Sequence, residues 1–185
     1  MAASASFGTR LAQNTTGFAD SLFLGPPDGS SSNDGTAWVG IGGQVVAYFF
    51  DAVSVLDGPG GDFNLYEVDY GLQEFGSISV AVSLDAGSFV DISASEGPGI
   101  AVDNDPGHTS GASFVRSYDL AASGLGAVRY VRIDGDGSGA AGGTSGFDLD
   151  AIGAVNFAPV PLPGTALLLA SAVPDGLGLR ARRRA

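Results

Sequence analysis

The chain has 185 residues and no cysteine, which excludes a disulfide framework, a thiolate metal site and a cysteine nucleophile. Lysine is also absent, and Met1–Leu179 carries 20 acids against 4 arginines, the remaining arginines standing beyond Leu179. So acidic a surface repels phosphate and disfavours nucleic acid as a partner, while divalent cations and uncharged polymers stay open.

Thirty glycines and nine prolines imply many turns between short strands and too little helical periodicity for a bundle. Residues 1–35 mix small and polar types and end in PPDGSSSNDG, so this segment is expected to be loop-rich. An exported chain starts with a basic region and an apolar stretch. MAASASFGTRLAQNTT has neither, so either a leader precedes Met1 or the chain is not exported; Ala3-Ser4-Ala5 would suit a leader junction.

Thr36–Ile41 and Gln44–Phe50 are strand-like and separated by Gly42-Gly43, which predicts a hairpin, with Val53–Leu56 continuing it. After the turn in DGPGG, Phe63–Val68 alternates, with Phe63 and Leu65 on one face and Asn64 and Tyr66 on the other. Ser77–Leu84 alternates too, with Ile78, Val80, Val82 and Leu84 sharing a face. Asp85-Ala86-Gly87 turns the chain and Phe89–Ile92 returns it. Residues 95–112 read as a long loop. Phe114–Leu120, Ala127–Asp134 and Phe147–Phe157 supply the remaining strands. Eight or nine short strands with buried alternate positions close most naturally as an antiparallel β-sandwich over residues 36–157.

Within that stretch, AVSLDAGSFVDI (residues 81–92) is similar to the S-x-D-G-x-x-F/W hairpin, and AVRYVRI (127–133) to the A-R-Y-V-R-I strand, of the galactose-binding-like (discoidin) jelly roll. Ala86 stands where that pattern has glycine, and Phe89 where tryptophan is common. DGPGGDFNLYEVD, RSYDL and GFDLDAI also resemble segments of a divergent discoidin-like group of bacterial surface proteins. The resemblance implies an all-β jelly-roll sandwich, often stabilised by a structural Ca²⁺ that joins an early loop to the final strand.

Carboxylates are the only abundant chemical groups. Asp57, Asp62 and Glu67 flank one turn, and Asp148 and Asp150 stand at i and i+2 on the final strand, with Phe147 and Leu149 opposite. Ca²⁺ takes six to eight oxygen ligands, so Asp57, Asp62, Glu67, Asp148 and Asp150 form the expected metal set. Taken singly, the same acids read as a solvated surface. Asp134-Gly135-Asp136 fails as an EF-hand because Ser145 occupies the twelfth position. Asp103-Asn104-Asp105-Pro106 reads as a solvated turn, and His108, the only histidine, has no partner for a zinc site or a triad. Trp38, Tyr48, Tyr66, Tyr70, Tyr118 and Tyr130 have the ring type that stacks on a sugar, yet no cluster at loop tips marks a binding site.

The C-terminal segment, 158–185, has a different character. Val160, Pro161, Leu162 and Pro163 form a proline-punctuated stop, Gly164–Leu179 is apolar apart from Asp175, and Arg180, Arg182, Arg183 and Arg184 close the chain. This order resembles the PEP-CTERM sorting signal in its VPLPA-like variant. The resemblance implies export, transient anchoring in the bacterial inner membrane, and cleavage near the proline motif by an exosortase-type transpeptidase. The tail departs from that pattern in two ways that weaken anchoring: the apolar run is shorter than the roughly 20 residues that span a bilayer, and Pro174-Asp175 stands inside it. The combined expectation is an exported, non-catalytic surface or matrix protein that binds exopolysaccharide. A structural matrix component without a small ligand and a glycoside hydrolase with paired carboxylates are the alternatives.

Overall fold

The computed structural model describes residues 6–14, 24–27, 37–38, 45–49, 53–68, 73–95, 100–103, 112–136 and 146–160. Among them there is no α-helix, only strands and short 3₁₀ turns, and all strand pairs are antiparallel. No helix among them is long and apolar enough to cross a membrane.

A six-stranded sheet is built around β13 (Asp148–Ala154). One edge of β13 pairs with β6 (Phe63–Val68), and the other takes β1 (Ser6–Phe7) and β3 (Ala37–Trp38). Beyond β6 come β10 (Ala112–Tyr118) and β9 (Ile100–Asp103). The five-stranded sheet runs β2 (Arg10–Asn14), β4 (Val45–Phe49), β12 (Tyr130–Gly135), β7 (Ile78–Ser83), β8 (Val90–Asp91). A three-stranded sheet of β11 (Ala127–Val128), β5 (Val53–Leu56) and β14 (Phe157–Pro159) completes the fold.

All three sheets contribute to one core. Phe63, Leu65, Tyr118, Leu149 and Ile152 come from the six-stranded sheet, Leu11, Val80, Val82, Val131 and Ile133 from the five-stranded sheet, and Val55 and Val128 from the small one. Phe63 and Tyr118 stack with ring centroids 5.3 Å apart. The result is an all-β, sandwich-like body whose inner faces follow the period-two alternation of β6 and β12.

The small sheet arises because two strand-like stretches bend from one sheet into another. Ala127–Gly135 breaks at Arg129, whose N–H donates to the Ser83 carbonyl at 2.9 Å, so β11 and β12 lie in different sheets. Likewise Val155 and Asn156 separate β13 from β14. Such corners let sheets share a core without long connections.

Several expectations change here. Ala37 and Trp38 pair with Leu149 and Asp148, whereas β4 pairs with β2 and β12, so the described residues on either side of Gly42-Gly43 belong to separate sheets and do not pair with each other. Val53–Leu56 is a strand of the third sheet, not a continuation of that hairpin. The segment 1–35 contributes β1 and β2, which pair with β13 and β4. Part of the 95–112 loop is strand, since Val102 pairs with Ser113 and Ile100 with Val115. The hairpin at Asp85-Ala86-Gly87 stands as read, with Val82 opposite Val90, although Leu84 is exposed and Ala81 and Ser83 are buried.

Candidate functional site

The turn before β6 is organised by Asp62, which is wholly buried. Its Oδ1 accepts from the Gly58 N–H at 2.9 Å and from Asn156 Nδ2 at 2.7 Å, and its Oδ2 accepts from the Leu120 N–H at 2.8 Å. Its backbone carbonyl accepts from Val155 and Asn156, and its own N–H donates to the Tyr118 carbonyl. One side chain therefore ties the 57–62 turn to the ends of β10 and β13. Gly58 permits the close approach, because a Cβ there would meet Asn156 Nδ2 at 2.6 Å. Asp119, which lies outside the expected metal set, caps the 3₁₀ turn Leu120–Ser123 through the Ala121 N–H, and Gly124 ends that turn in the left-handed region at φ 69°. The aspartate-to-glycine spacing of such a capped turn is present in RSYDLAASG.

Carboxylate oxygens of Asp57, Asp62 and Asp119 lie within 4.8 Å of one another. The donor type suits Ca²⁺. Three N–H donors already occupy most of the acceptor capacity of the Asp62 carboxylate.

Glu67 lies elsewhere. It is five residues along an extended chain from Asp62, about 16 Å at strand rise, which is too far for one ion to reach both. The expected five-residue metal set is thus divided: Asp57 and Asp62 gather with Asp119 at one end of β6, while Glu67 and Asp148 stand at the other. β6 and β13 explain the split, since Phe63 pairs with Ala154 and Glu67 with Leu149.

At this second end Glu67 and Asp148 are buried, as is Glu74, a further acid outside the expected set. Period two carries Glu67 onto the inward face that Phe63 and Leu65 occupy. Glu67 Oε1 accepts from the Glu74 N–H at 2.9 Å, and Glu74 Oε1 accepts from the Gly146 N–H at 3.4 Å. Arg116, opposite Leu65 on β10, lays its guanidinium 4.4 Å over the Phe75 ring. Burial pushes the Glu67 carboxyl up to about 9; the Glu74 and Asp148 charges act in the same direction, while the Glu74 N–H and the Arg116 charge oppose it. Burial, aided by the Glu74 charge, pushes Asp148 up to about 7. Glu67 Oε2 and Asp148 Oδ1 are buried without a hydrogen-bond partner among the described residues.

Asp150 is buried at a bulge. Leu149 pairs with Glu67 and Ala151 with Tyr66, so Asp150 is the extra residue on β13. The bulge also shifts the inward positions from Phe147 and Leu149 to Ile152 and Ala154. Simple alternation of Asp148 and Asp150 on one face does not survive it.

The outer side of β6 has a different chemistry. Asn64 and Tyr66 are half-buried and Ser117 is exposed; the Ser117 hydroxyl donates to Asn64 Oδ1 at 2.6 Å, and Asn64 Nδ2 donates to the Tyr66 hydroxyl at 3.4 Å. The Phe7 ring lies beside Tyr66, centroids 6.3 Å apart. Of the other aromatic candidates, Tyr118 is core and Tyr130 is half-buried, while Tyr70 lies outside the described residues, as do the side chains of Trp38 and Tyr48.

Asp134 receives a hydrogen bond from Arg132 Nε at 2.8 Å, which accounts for it as a surface ion pair. His108, Asn104 to Pro106, and the tail residues Pro161, Leu162, Pro163, Arg180, Arg182, Arg183 and Arg184 lie outside the described residues; Val160 follows β14. The chain matches no protein-family model, no curated protein and no solved structure.

Proposed function

We propose that the chain is an exported, non-catalytic surface or matrix protein whose sandwich, of the galactose-binding-like jelly-roll type, binds neutral exopolysaccharide. The observation that carries the binding reading is the outer face of β6 and β10. There the Tyr66 ring, flanked by Phe7, stands beside the amide of Asn64 and the hydroxyl of Ser117. An aromatic face covers the apolar side of a pyranose while neighbouring amide and hydroxyl groups exchange hydrogen bonds with sugar hydroxyls. The acidic surface argues for an uncharged polymer. Support for delivery comes from the sequence: Val160-Pro161-Leu162-Pro163 follows directly on β14, so an exosortase-type cut there would leave every described strand intact.

Gel electrophoresis through matrices loaded with neutral exopolysaccharide tests the binding. The protein is expected to be retarded, Tyr66→Ala to weaken retention about tenfold through lost stacking, and Tyr66→Phe to retain most of it. Equal mobility with and without polysaccharide would leave the scaffold alternative. Mass spectrometry of the secreted product should place its terminus near Pro163.

A further inference from the structure

We infer that the outer face of β6 and β10 selects acylated sugars: a neutral glycan bearing acetyl esters or acetamido groups, its acyl carbonyl accepting from the Tyr66 hydroxyl and its methyl lying against the Phe7 and Tyr66 rings. The inference rests on the sugar-binding reading above and adds the chemical class of the ligand. Its first support is the direction of the hydrogen bonds. The contact between Ser117 Oγ and Asn64 is 2.6 Å, a spacing of O–H···O rather than N–H···O bonds, so the amide turns Oδ1 to the serine. An amide oxygen only accepts, and the Ser117 proton is therefore spent on it. The amide nitrogen then faces Tyr66 and donates to its hydroxyl oxygen at 3.4 Å. That oxygen already accepts, so the tyrosine has its proton to offer a ligand, while Ser117 has lone pairs to offer. The row donates at the tyrosine end and accepts at the serine end.

The donating end is also the apolar end. Gly153 pairs with Asn64 on one side and Phe7 on the other. A Cβ on Gly153 would meet Phe7 Cε1 at 2.9 Å and Tyr66 Cε2 at 3.3 Å, so both rings lie close over the bare glycine backbone, with their planes inclined at 55°. A proton donor beside two aromatic rings calls for a ligand group that joins an acceptor oxygen to an apolar end. A carboxylate supplies the oxygen but is repelled by a chain of 20 acids and 8 arginines. A sugar hydroxyl can accept, yet it leaves the rings without an apolar partner. An acetyl group supplies an acceptor-only carbonyl and a methyl together, without charge, while a ring hydroxyl of the same sugar can donate to Ser117 Oγ.

Two ligand pairs test this with the full chain. Affinity electrophoresis uses glucomannan before and after alkaline removal of its acetyl esters. Titration calorimetry compares chitin oligomers with cellulose oligomers, which carry a hydroxyl in place of each acetamido group; all of these probes are uncharged. The wild type is expected to bind the acetylated member of at least one pair about three- to tenfold more tightly, the size of one hydrogen bond and one methyl contact. The two pairs tell ester from amide. Tyr66→Phe keeps the ring and loses the proton, so it should bind both members alike, at the wild-type strength for the acetyl-free one. Asn64→Asp replaces the amide donor with an acceptor, which draws the Tyr66 proton inward, and should erase the preference as well. Equal wild-type binding within both pairs would overturn the acyl preference and leave the sugar-binding reading standing, and so would a preference that survives both substitutions. Absence of binding to any of these ligands would overturn both.

Discussion

Asp62 shows how one buried acid can organise a turn. Its two oxygens collect two backbone N–H groups and one side-chain amide from three separate segments. Asp62→Ala strands those donors in a buried site, each at about 1–3 kcal/mol, so a total loss of about 3–5 kcal/mol is expected, read as a fall in the urea midpoint. A loss below about 1 kcal/mol would mean that water replaces the clamp. The acid itself was legible from the DGPGGD turn, but its partners were not, because Leu120 and Asn156 are distant in sequence and local pattern says nothing of what a side chain meets. Glu67 is the reverse case. Strict alternation with Phe63 and Leu65 already turned it inward, and the signal lay in the sequence as an acid on an apolar face.

At the scale of elements, the hairpin of β7 and β8 was readable because turn residues and alternation agree over a short span. Its turn is not ideal. Ala86 sits at φ 63°, the left-handed region that favours glycine, and it is exposed. Ala86→Gly is expected to stabilise the protein by about 0.5–1 kcal/mol, the relief of the Cβ clash exceeding the added freedom of the unfolded chain. Thermal or urea denaturation would show it, and an unchanged or lower midpoint would contradict it. The Gly42-Gly43 reading failed for a physical reason: turn chemistry predicts a change of direction, while partner choice is set by which apolar faces can be buried together. Trp38 found β13, more than a hundred residues away. The bends at Arg129 and at Val155-Asn156 were invisible for a related reason, since an apolar, β-branched run reads as one strand whether or not it changes sheet.

For the whole molecule, acidity and burial combine in the response to pH. The folded-state carboxyls of Glu67 and Asp148 lie above their ordinary values of 4.5 and 3.8, at about 9 and about 7. The folded form therefore holds more protons than the unfolded form between those limits, and the stabilisation present below about pH 4 drains away as pH rises. In cation-free buffer each group contributes a slope of up to about 1.4 kcal/mol per pH unit, and repulsion among the surface acids adds in the same direction. Urea midpoints are expected to fall steadily from acid toward pH 9, and to flatten in Glu67→Gln. A wild-type midpoint that rises over this range would contradict the burial of these groups. The all-β class was legible because composition and period two report directly on sheets. The pairing order was not, because it depends on contacts between distant segments.

The place of β13 governs when this fold can form. It lies between β6 on one side and β1 and β3 on the other, yet among the described strands only β14 follows it. Until residue 154 has left the ribosome, the six-stranded sheet has no middle, and its earliest strand, at residues 6–7, waits for a partner made almost 150 residues later. Such distant pairing makes closure slow. A nascent chain of this design stays threadable until β13 has emerged, with its exposed strand edges in need of protection for the whole of that interval.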